Sequence, residues 1–292
     1  AMTTAFGGTD ASGAWGWRTA YDVMQSAALE VAQDILARQG ALNRTQGLEA
    51  LSEIAARLPT ETRRSERQMQ LQQFSTSLEW GWVAAVAAQV STGDVVLEPS
   101  AGTGCLARIA QMSAQSAKGR AADIRLVMNE IDPVRSSLLA AGQAGEVSSY
   151  DGEFIDDLLD CGISPSVVLM NPPFASSASR SGDSTIALRH VLSAAKRLSV
   201  GGRLVAIVPP NVSKARGGAL WERMCAEVTP IARLILPRSA FARMGTTVET
   251  HLLIAEKRLT GSAGGAIKCP SIAVSSPAQA CDVLEQVLPV RM

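Results

Sequence analysis

The spacing of hydrophobic residues changes character near residue 90. Before that point, apolar residues recur at the three- and four-residue spacing of amphipathic helices. Gly40 and Pro59 provide two stop signals between these segments. The predicted helices lie at residues 17–41, at 45–58, in a charged stretch that begins at Glu61 and leads to 71–77, and at 80–90. This first part is therefore predicted to be all-helical, after a leader rich in glycine, serine and threonine.

Beyond residue 90, short apolar runs rich in β-branched residues alternate with helical stretches. These runs are continuous, which is typical of strands buried in a parallel sheet. They lie at residues 94–100, 124–132, 166–174, 203–210 and 232–237. The alternation predicts an α/β fold with a doubly wound, mostly parallel, Rossmann-like sheet and a helical N-terminal extension. Two last runs, at 250–257 and 266–274, suit an antiparallel hairpin at the edge of that sheet.

The patterns divide the chain into a helical extension over residues 1–70, an α/β domain over 71–260, and an edge strand and tail over 261–292. In open α/β sheets, ligands bind beyond the carboxyl ends of the strands, near the switch in strand order. The residues that follow each apolar run are therefore the candidates for function.

A glycine-rich turn, Leu-Glu-Pro-Ser-Ala-Gly-Thr-Gly at 97–104, follows the first strand run. Gly102 and Gly104 let the backbone turn tightly and approach a ligand, to which the next helix points its N-terminus. With Ala107 they also satisfy the dinucleotide-binding fingerprint, and Glu130 ends the next strand at a distance suited to a ribose. A nicotinamide-dependent oxidoreductase and a turn without a ligand both stay open on these residues.

The residues just before the glycines favour a different cofactor. Glu98 and Pro99 place a carboxylate at the strand end, where it would repel a pyrophosphate but suit a cationic ligand with an amino acid moiety. S-adenosylmethionine carries a sulfonium and an ammonium and has no phosphate. Glu130 can accept hydrogen bonds from its ribose hydroxyls, as it can from those of NAD.

The third strand run ends in Asn171-Pro172-Pro173-Phe174. Prolines cannot continue a central strand, so we expect a rigid loop at the strand end. The Asn171 side-chain oxygen and the Pro172 carbonyl then face outward as two acceptors beside an aromatic ring. Such a set matches a planar molecule with an exocyclic amino group, although these dipeptides also occur in ordinary turns.

On these motifs the chain resembles the S-adenosylmethionine-dependent amino-methyltransferases that methylate adenine N6, whose hallmark is [DNS]PP[YFW]. The resemblance covers about residues 70–260, and the order of its motifs is similar to the gamma class. It implies S-adenosylmethionine as the cofactor and Asn171, Pro172, Pro173 and Phe174 as catalytic residues. The cofactor-binding residues that it implies are Phe74, Thr76, Glu98, Pro99, Ala101, Gly102, Gly104, Glu130, Ile131, Asp151 and Asn171.

Three further details bear on the resemblance. Ser77 stands where the family usually has proline after the threonine of its opening motif. The segment 241–257 resembles a late motif of polypeptides that join such a methyltransferase to a strawberry-notch-like helicase. Gamma-class enzymes usually carry a separate target-recognition domain, and the 35 residues after Lys257 are too few for one. We therefore expect specificity to come from another domain or subunit.

Acidic and basic residues are equal in number, 27 of each, but unevenly distributed. Six acids and no bases lie between Glu146 and Asp160, whereas eleven bases and three acids lie between Ala175 and Arg243. This excess indicates either an ordinary solvated surface or a basic face for DNA, which the chain alone would bind weakly. The candidate phosphate-binding residues are Arg180, Arg189, Lys214 and Arg216.

Composition narrows the function further. No run approaches the roughly 18 apolar residues of a membrane span. The five cysteines are scattered and there are two histidines, so we expect a cytoplasmic protein without metal.

The function that the motifs favour is methyl transfer to an exocyclic amine, with adenine N6 in DNA as the first candidate. RNA or protein-glutamine methylation, NAD-dependent oxidoreduction and a non-catalytic cofactor-binding scaffold are the alternatives.

Overall fold

Helices form the N-terminal part of the chain, as the apolar spacing predicts. The structure is a computed structural model, and it describes residues 2–40, 43–62, 74–114, 123–142, 145–174, 183–257 and 269–291. The first helices are α1 (Met2–Phe6), α2 (Trp17–Gln39), α3 (Arg44–Arg57) and α4 (Leu78–Ala88). Asn43 starts α3 with a capping box, since its side chain accepts from the Gln46 amide and its own amide donates to the Gln46 side chain. Most of the charged helix predicted from Glu61 lies outside the described residues.

The described strands form an eight-stranded sheet in the order β3-β2-β1-β4-β5-β7-β6-β8. Its strands are β1 (Val95–Glu98), β2 (Arg125–Asn129), β3 (Glu146–Ser148), β4 (Val167–Met170), β5 (Arg203–Val208), β6 (Val228–Ile235), β7 (His251–Lys257) and β8 (Ser271–Ala273). The helices between and after them are α5 (Cys105–Ser113), α6 (Pro133–Ala141), α7 (Ile155–Leu158), α8 (Ile186–Arg197), α9 (Lys214–Glu227) and α10 (Pro277–Val287). The predicted mostly parallel α/β fold with helices before it is confirmed.

The predicted edge hairpin between residues 250–257 and 266–274 is wrong. Strand β7 lies inside the sheet, antiparallel to both β5 and β6, whereas β8 pairs in parallel with β6 at the edge. The first five residues of β7 are all buried, but β8 is only partly buried. A strand that is apolar on both faces needs a packed layer over each face, and the middle of the sheet is better covered than its edge.

The C-terminal region contains a helix that the sequence pattern did not reveal. Helix α10 buries Ala280, Cys281 and Leu284 in the same core as the sheet. Arg203 of β5 is 0% exposed and donates to the carbonyls of Ala87 and Pro289 at 3.2 and 3.0 Å. The segment after α10 is thereby fixed to the core. The predicted divisions at residues 70 and 260 fall outside the described residues and stay predictions.

Of the N-terminal helices, α2, α3 and α4 pack on the α/β core, and no helix of the described residues is long and apolar enough to cross a membrane. Helix α3 lies against α4, where the Trp82 indole nitrogen donates to the Arg44 carbonyl at 3.0 Å. Gly47 makes this close approach possible, because a Cβ at this position would lie 2.1 Å from Cζ2 of the buried Trp82 ring.

We expect Gly47→Ala to destabilise the protein, although alanine is the better helix former by about 1 kcal/mol. The added methyl group collides with the Trp82 ring, and overpacking of this kind costs about 1–3 kcal/mol. The measurement is the free energy of unfolding in urea. In a Trp82→Leu background the same substitution should be neutral or stabilising. A Gly47→Ala protein more stable than wild type would show that the ring can move aside.

Candidate functional site

The sequence motifs meet at one edge of the sheet. Strand β1 lies between β2 and β4, and the three strands are parallel, so their carboxyl ends are neighbours. The glycine-rich turn follows β1, Glu130 follows β2, and Asn171-Pro172-Pro173-Phe174 follows β4. The strand order reverses between β1 and β4, which is the switch point where open α/β sheets bind ligands.

The glycine-rich turn has backbone angles that favour glycine. Gly102 and Gly104 have φ of 58° and 83°, in the left-handed region where other residues are strained. A Cβ at Gly104 would also lie 2.8 Å from the side chain of Leu139 in α6. The Ala101 amide donates to the Asn129 carbonyl at 2.9 Å, which fixes the start of the turn to the end of β2.

Glu130 is oriented by backbone amides of the same edge. It is 5% exposed, and its two carboxylate oxygens accept from the amides of Gly102 at 2.7 Å and Asp132 at 2.8 Å. Burial raises the pKa of this carboxyl, while the charge of Arg135 lowers it. Each carboxylate oxygen has a second lone pair, which a ribose hydroxyl can use. The next residue, Ile131, is 54% exposed and offers an apolar contact beside this acceptor.

Glu98, at the end of β1, is buried and held by the helix that follows the turn. Its side chain turns back onto the first turn of α5, where one carboxylate oxygen accepts from the Ala107 amide at 2.8 Å. Burial raises its pKa to about 8, although the hydrogen bonds from the Ala107 and Leu106 amides lower it. The raised pKa reduces the negative charge of this carboxyl at neutral pH. Its hydrogen bond supports the start of α5.

Asn171 is held by the opening segment of the predicted cofactor motif. Its side-chain nitrogen Nδ2 donates to the Phe74 carbonyl at 3.2 Å and to Thr76 Oγ1 at 3.1 Å. The Phe74 carbonyl can only accept, so the amide is oriented with Nδ2 towards it. Among the described residues, the oxygen Oδ1 has no hydrogen-bond partner. Pro172 is buried, and Pro173 and Phe174 are partly buried beside it.

Asp151 lies on the loop that follows β3. The side chain is exposed, and its Oδ1 accepts from the Glu153 amide at 3.0 Å at the start of a short 3-10 helix, Gly152–Phe154. Gly152 brings this loop against β1, because a Cβ there would lie 2.8 Å from the Pro99 carbonyl oxygen. Phe154 is 49% exposed on the same loop.

Asn129 is a site residue that the sequence reasoning missed. It is the last residue of β2 and is 1% exposed. Its Nδ2 donates to the carbonyls of Pro99 and Tyr150 at 3.0 and 2.9 Å, and its Oδ1 accepts from the Tyr150 amide at 2.7 Å. One side chain thus joins the turn after β1 to the loop that carries Asp151. An amide-bearing residue at a buried strand end is the signal that could have identified it.

The N-terminal extension also contacts the site. Asp22 of α2 accepts from Arg135 Nε at 3.0 Å, and both residues are buried. Thr103 of the glycine-rich turn donates to Gln25 of α2 at 3.1 Å. These residues lie far apart in sequence and carry no motif, so no local pattern could have revealed them.

The basic excess is partly neutralised by the acidic segment before it. The Arg189 guanidinium forms ion pairs with Glu153 and Asp183, at 2.6 and 2.5 Å, so its nitrogens are already engaged. Lys196 pairs similarly with Asp156 at 2.5 Å. The other candidate cations are Lys214 and Arg216, which are exposed at the start of α9, and Arg180, which lies outside the described residues.

Several solved structures share this fold. A protein described as a class I S-adenosylmethionine-dependent methyltransferase from Listeria monocytogenes has a TM-score of 0.60 at 16% identity, over 84% of this chain and 77% of the other. The methyltransferase subunit of a type I restriction-modification system from Streptococcus thermophilus has a TM-score of 0.53 at 14% identity, over 84% and 57%. A modification subunit of a type I restriction enzyme from Vibrio vulnificus has 0.52 at 15%, over 86% and 60%.

At these identities the comparison defines the fold. The chain adopts the class I S-adenosylmethionine-dependent methyltransferase fold, with its mostly parallel sheet and antiparallel β7. It spans little more than half the length of the two restriction-modification subunits, 57% and 60%. No protein-family model matches the sequence, and no curated protein does so either.

We expect Glu98→Gln to flatten the pH dependence of stability between about pH 5 and pH 8. Between its usual pKa of 4.5 and the raised pKa of about 8, Glu98 is protonated in the folded protein but ionised in the unfolded chain. The wild type therefore loses stability as the pH rises, by up to about 1.4 kcal/mol per pH unit relative to the variant. Urea unfolding at both pH values measures this difference.

The matched control is Glu146→Gln, because a hydrogen bond from Arg125 lowers the pKa of this exposed carboxyl. Its stability contribution is lost only as the pH falls, so the slope above pH 5 should match that of the wild type. Identical slopes for Glu98→Gln and wild type would contradict the assignment of a buried, protonated Glu98.

Proposed function

We propose that this protein transfers a methyl group from S-adenosylmethionine to the N6 amine of adenine in DNA. The orientation of Asn171 carries the proposal. Since Nδ2 is engaged by Phe74 and Thr76, the atom left for a substrate is the acceptor Oδ1. An acceptor next to the Pro172 carbonyl and the Phe174 ring suits a planar ring with an amino group, which donates two hydrogen bonds.

The residues at the neighbouring strand ends fit the cofactor. Glu130 presents oriented carboxylate oxygens for ribose hydroxyls, and the exposed Ile131 offers an apolar contact for an adenine ring. The exposed Asp151 carboxylate can accept from the adenine amine. Phe74 and Thr76 lie beside Asn171 and border the same space. When bound, S-adenosylmethionine supplies a methyl group on a positively charged sulfur.

Asn171 and Pro172 would bind and orient the substrate amine, which is the nucleophile in the transfer. The lone pair of an aryl amine is delocalised into the ring, which makes the nitrogen a poor nucleophile. Hydrogen bonds from the amine to Asn171 Oδ1 and the Pro172 carbonyl favour a more tetrahedral nitrogen and stabilise the positive charge that develops there. Phe174 would stack on the ring and fix the direction of attack. The methylated, positively charged nitrogen loses its proton to water after transfer, so no base has to act first.

The choice of DNA as the substrate has two supports. The fold is shared with proteins described as methyltransferase or modification subunits of type I restriction systems. Lys214 and Arg216 are exposed at the start of α9, which follows the carboxyl end of β5 on the same edge as the site. A duplex substrate requires the target base to rotate out of the stack. RNA and protein-glutamine methylation would use the same acceptors.

We further propose that target recognition comes from another domain or subunit. The resemblance of residues 241–257 to methyltransferase–helicase polypeptides, and of the motif order to the gamma class, supports this arrangement. Within the described residues, Lys214 and Arg216 provide few phosphate contacts, so binding through this chain would be weak.

The test is transfer of a tritiated methyl group from S-adenosylmethionine to pools of DNA, RNA and protein, followed by nucleoside analysis. We expect label in N6-methyladenine of DNA. Asn171→Ala should reduce transfer by at least about a hundredfold, because an oriented acceptor of this kind contributes that much to a rate. Calorimetry should show that the variant still binds the cofactor.

The control variant is Asn211→Ala, which changes an asparagine after the neighbouring strand β5 and should retain activity. If the label appears only in RNA or only in protein, the substrate belongs to that class of molecule and is not DNA. Binding of NAD without S-adenosylmethionine would overturn the methyltransferase proposal in favour of an oxidoreductase. Cofactor binding without any transfer would favour a scaffold.

We expect the double substitution Lys214→Ala, Arg216→Ala to weaken DNA binding at every sequence tested. Loss of two phosphate contacts should reduce the slope of log K against log salt concentration by about 1.8. Fluorescence anisotropy over a salt series measures it. Arg125→Ala, at the opposite edge of the sheet, is the control and should leave the slope unchanged. An unchanged slope in the double variant would remove these residues from the DNA-binding surface.

A further inference from the structure

Arg135 is a buried arginine at the candidate site that no motif assigns. It lies in the first turn of α6, directly after the strand end that carries Glu130, and is 4% exposed. Nε donates to Asp22 Oδ1 at 3.0 Å, and Nη2 lies 2.9 Å from the same oxygen. Nη2 also donates to Ser75 Oγ at 3.3 Å. The guanidinium thus joins the N-terminal extension to the opening segment between Phe74 and Thr76.

The remaining nitrogen, Nη1, faces the glycine-rich turn. A Cβ at Gly102 would lie 3.3 Å from Nη1, so the absence of a side chain there leaves the nitrogen at contact distance from the turn. Among the described residues, Nη1 has no hydrogen-bond partner. Two nitrogens of the Arg135 guanidinium are already hydrogen-bonded, and the third is directed at the glycine-rich turn. This third nitrogen can therefore donate a hydrogen bond to a ligand bound at the turn.

The guanidinium group itself favours an anionic acceptor. Asp22 is shared between two arginines, since Arg18 Nε also donates to it at 2.7 Å. Burial raises the pKa of the Glu98 carboxyl, at the end of β1, to about 8, which reduces its negative charge at neutral pH. A carboxylate is the partner whose planar geometry best matches a guanidinium.

We infer that Arg135 binds the carboxylate of the amino acid moiety of S-adenosylmethionine through Nη1, and that Asp22 of the N-terminal extension holds the guanidinium in position for it. The inference rests on the proposed function, because it concerns a part of the same cofactor. It makes the extension a component of the cofactor site, through Asp22.

The experiment is calorimetry with two ligands, S-adenosylmethionine and its decarboxylated analogue, which keeps the sulfonium, the ammonium and the nucleoside. Wild type should bind the complete cofactor about tenfold to a hundredfold more tightly, the usual range for a hydrogen bond between charged groups. Arg135→Gln should bind the two ligands almost equally. Arg135→Lys keeps the charge and should restore part of the preference.

The matched control is Arg108→Gln. Arg108 is also 4% exposed and also contacts α2, through Glu30 at 2.8 Å and Gln33 at 3.0 Å, but its guanidinium is not among the atoms that contact Gly102. The control should keep the wild-type preference even if it lowers stability. An equal loss of preference in both variants would indicate a structural effect and overturn the inference.

The remaining outcomes test either the inference about Arg135 or the methyltransferase proposal. If wild type binds both ligands equally, the carboxylate is not recognised and the inference is wrong, while the methyltransferase proposal stands. The inference is also wrong if Arg135→Gln keeps the wild-type preference. If wild type binds neither ligand, the proposed function itself fails. The comparison in wild type needs no variant, so it remains decisive if Arg135→Gln does not fold.

Discussion

The candidate site depends on the two hydrogen bonds that Asn171 donates to the opening segment. They join residues 97 and 95 positions apart in the chain, and they set the direction of a side chain whose two ends have opposite hydrogen-bonding roles. If the amide were reversed, its oxygen would face the Phe74 carbonyl, which can only accept, and its nitrogen would face the substrate. The seating of residues 74–76 against β4 is therefore part of the chemistry proposed for the strand end.

That seating depends in turn on the helices before the sheet. Asp22 holds Arg135, which contacts Ser75, and Gln25 holds Thr103 of the glycine-rich turn. On the other side, the Arg243 guanidinium donates to carbonyls at the end of α3, and the Glu61 amide donates to the Arg243 carbonyl at 2.8 Å. The N-terminal extension thus contacts two loops at the carboxyl edge of the sheet. Loss of these contacts would disturb the candidate site.

The sequence predicted every described strand except the short β3 (Glu146–Ser148). It also predicted the convergence of the motifs, because parallel strands bring their carboxyl ends to one edge. It could not predict side-chain direction or long-range partners. Glu98 was placed at the correct strand end, but whether its carboxyl faces a ligand or the helix depends on packing. Arg135 was missed because its partner Asp22 lies 113 positions away. The basic excess after Asn171 was overestimated for the same reason, since Arg189 is neutralised by an acid from the preceding segment.

Asn129 has a consequence for redesign of the cofactor preference. Its single amide supports both the turn beside Glu130 and the loop beside Asp151, so the positions of the two acids are mechanically linked. A substitution that shifts one of them would shift the other through this side chain. Ribose and base recognition would then change together, and a library aimed at cofactor analogues would have to vary both loops and Asn129 as one unit.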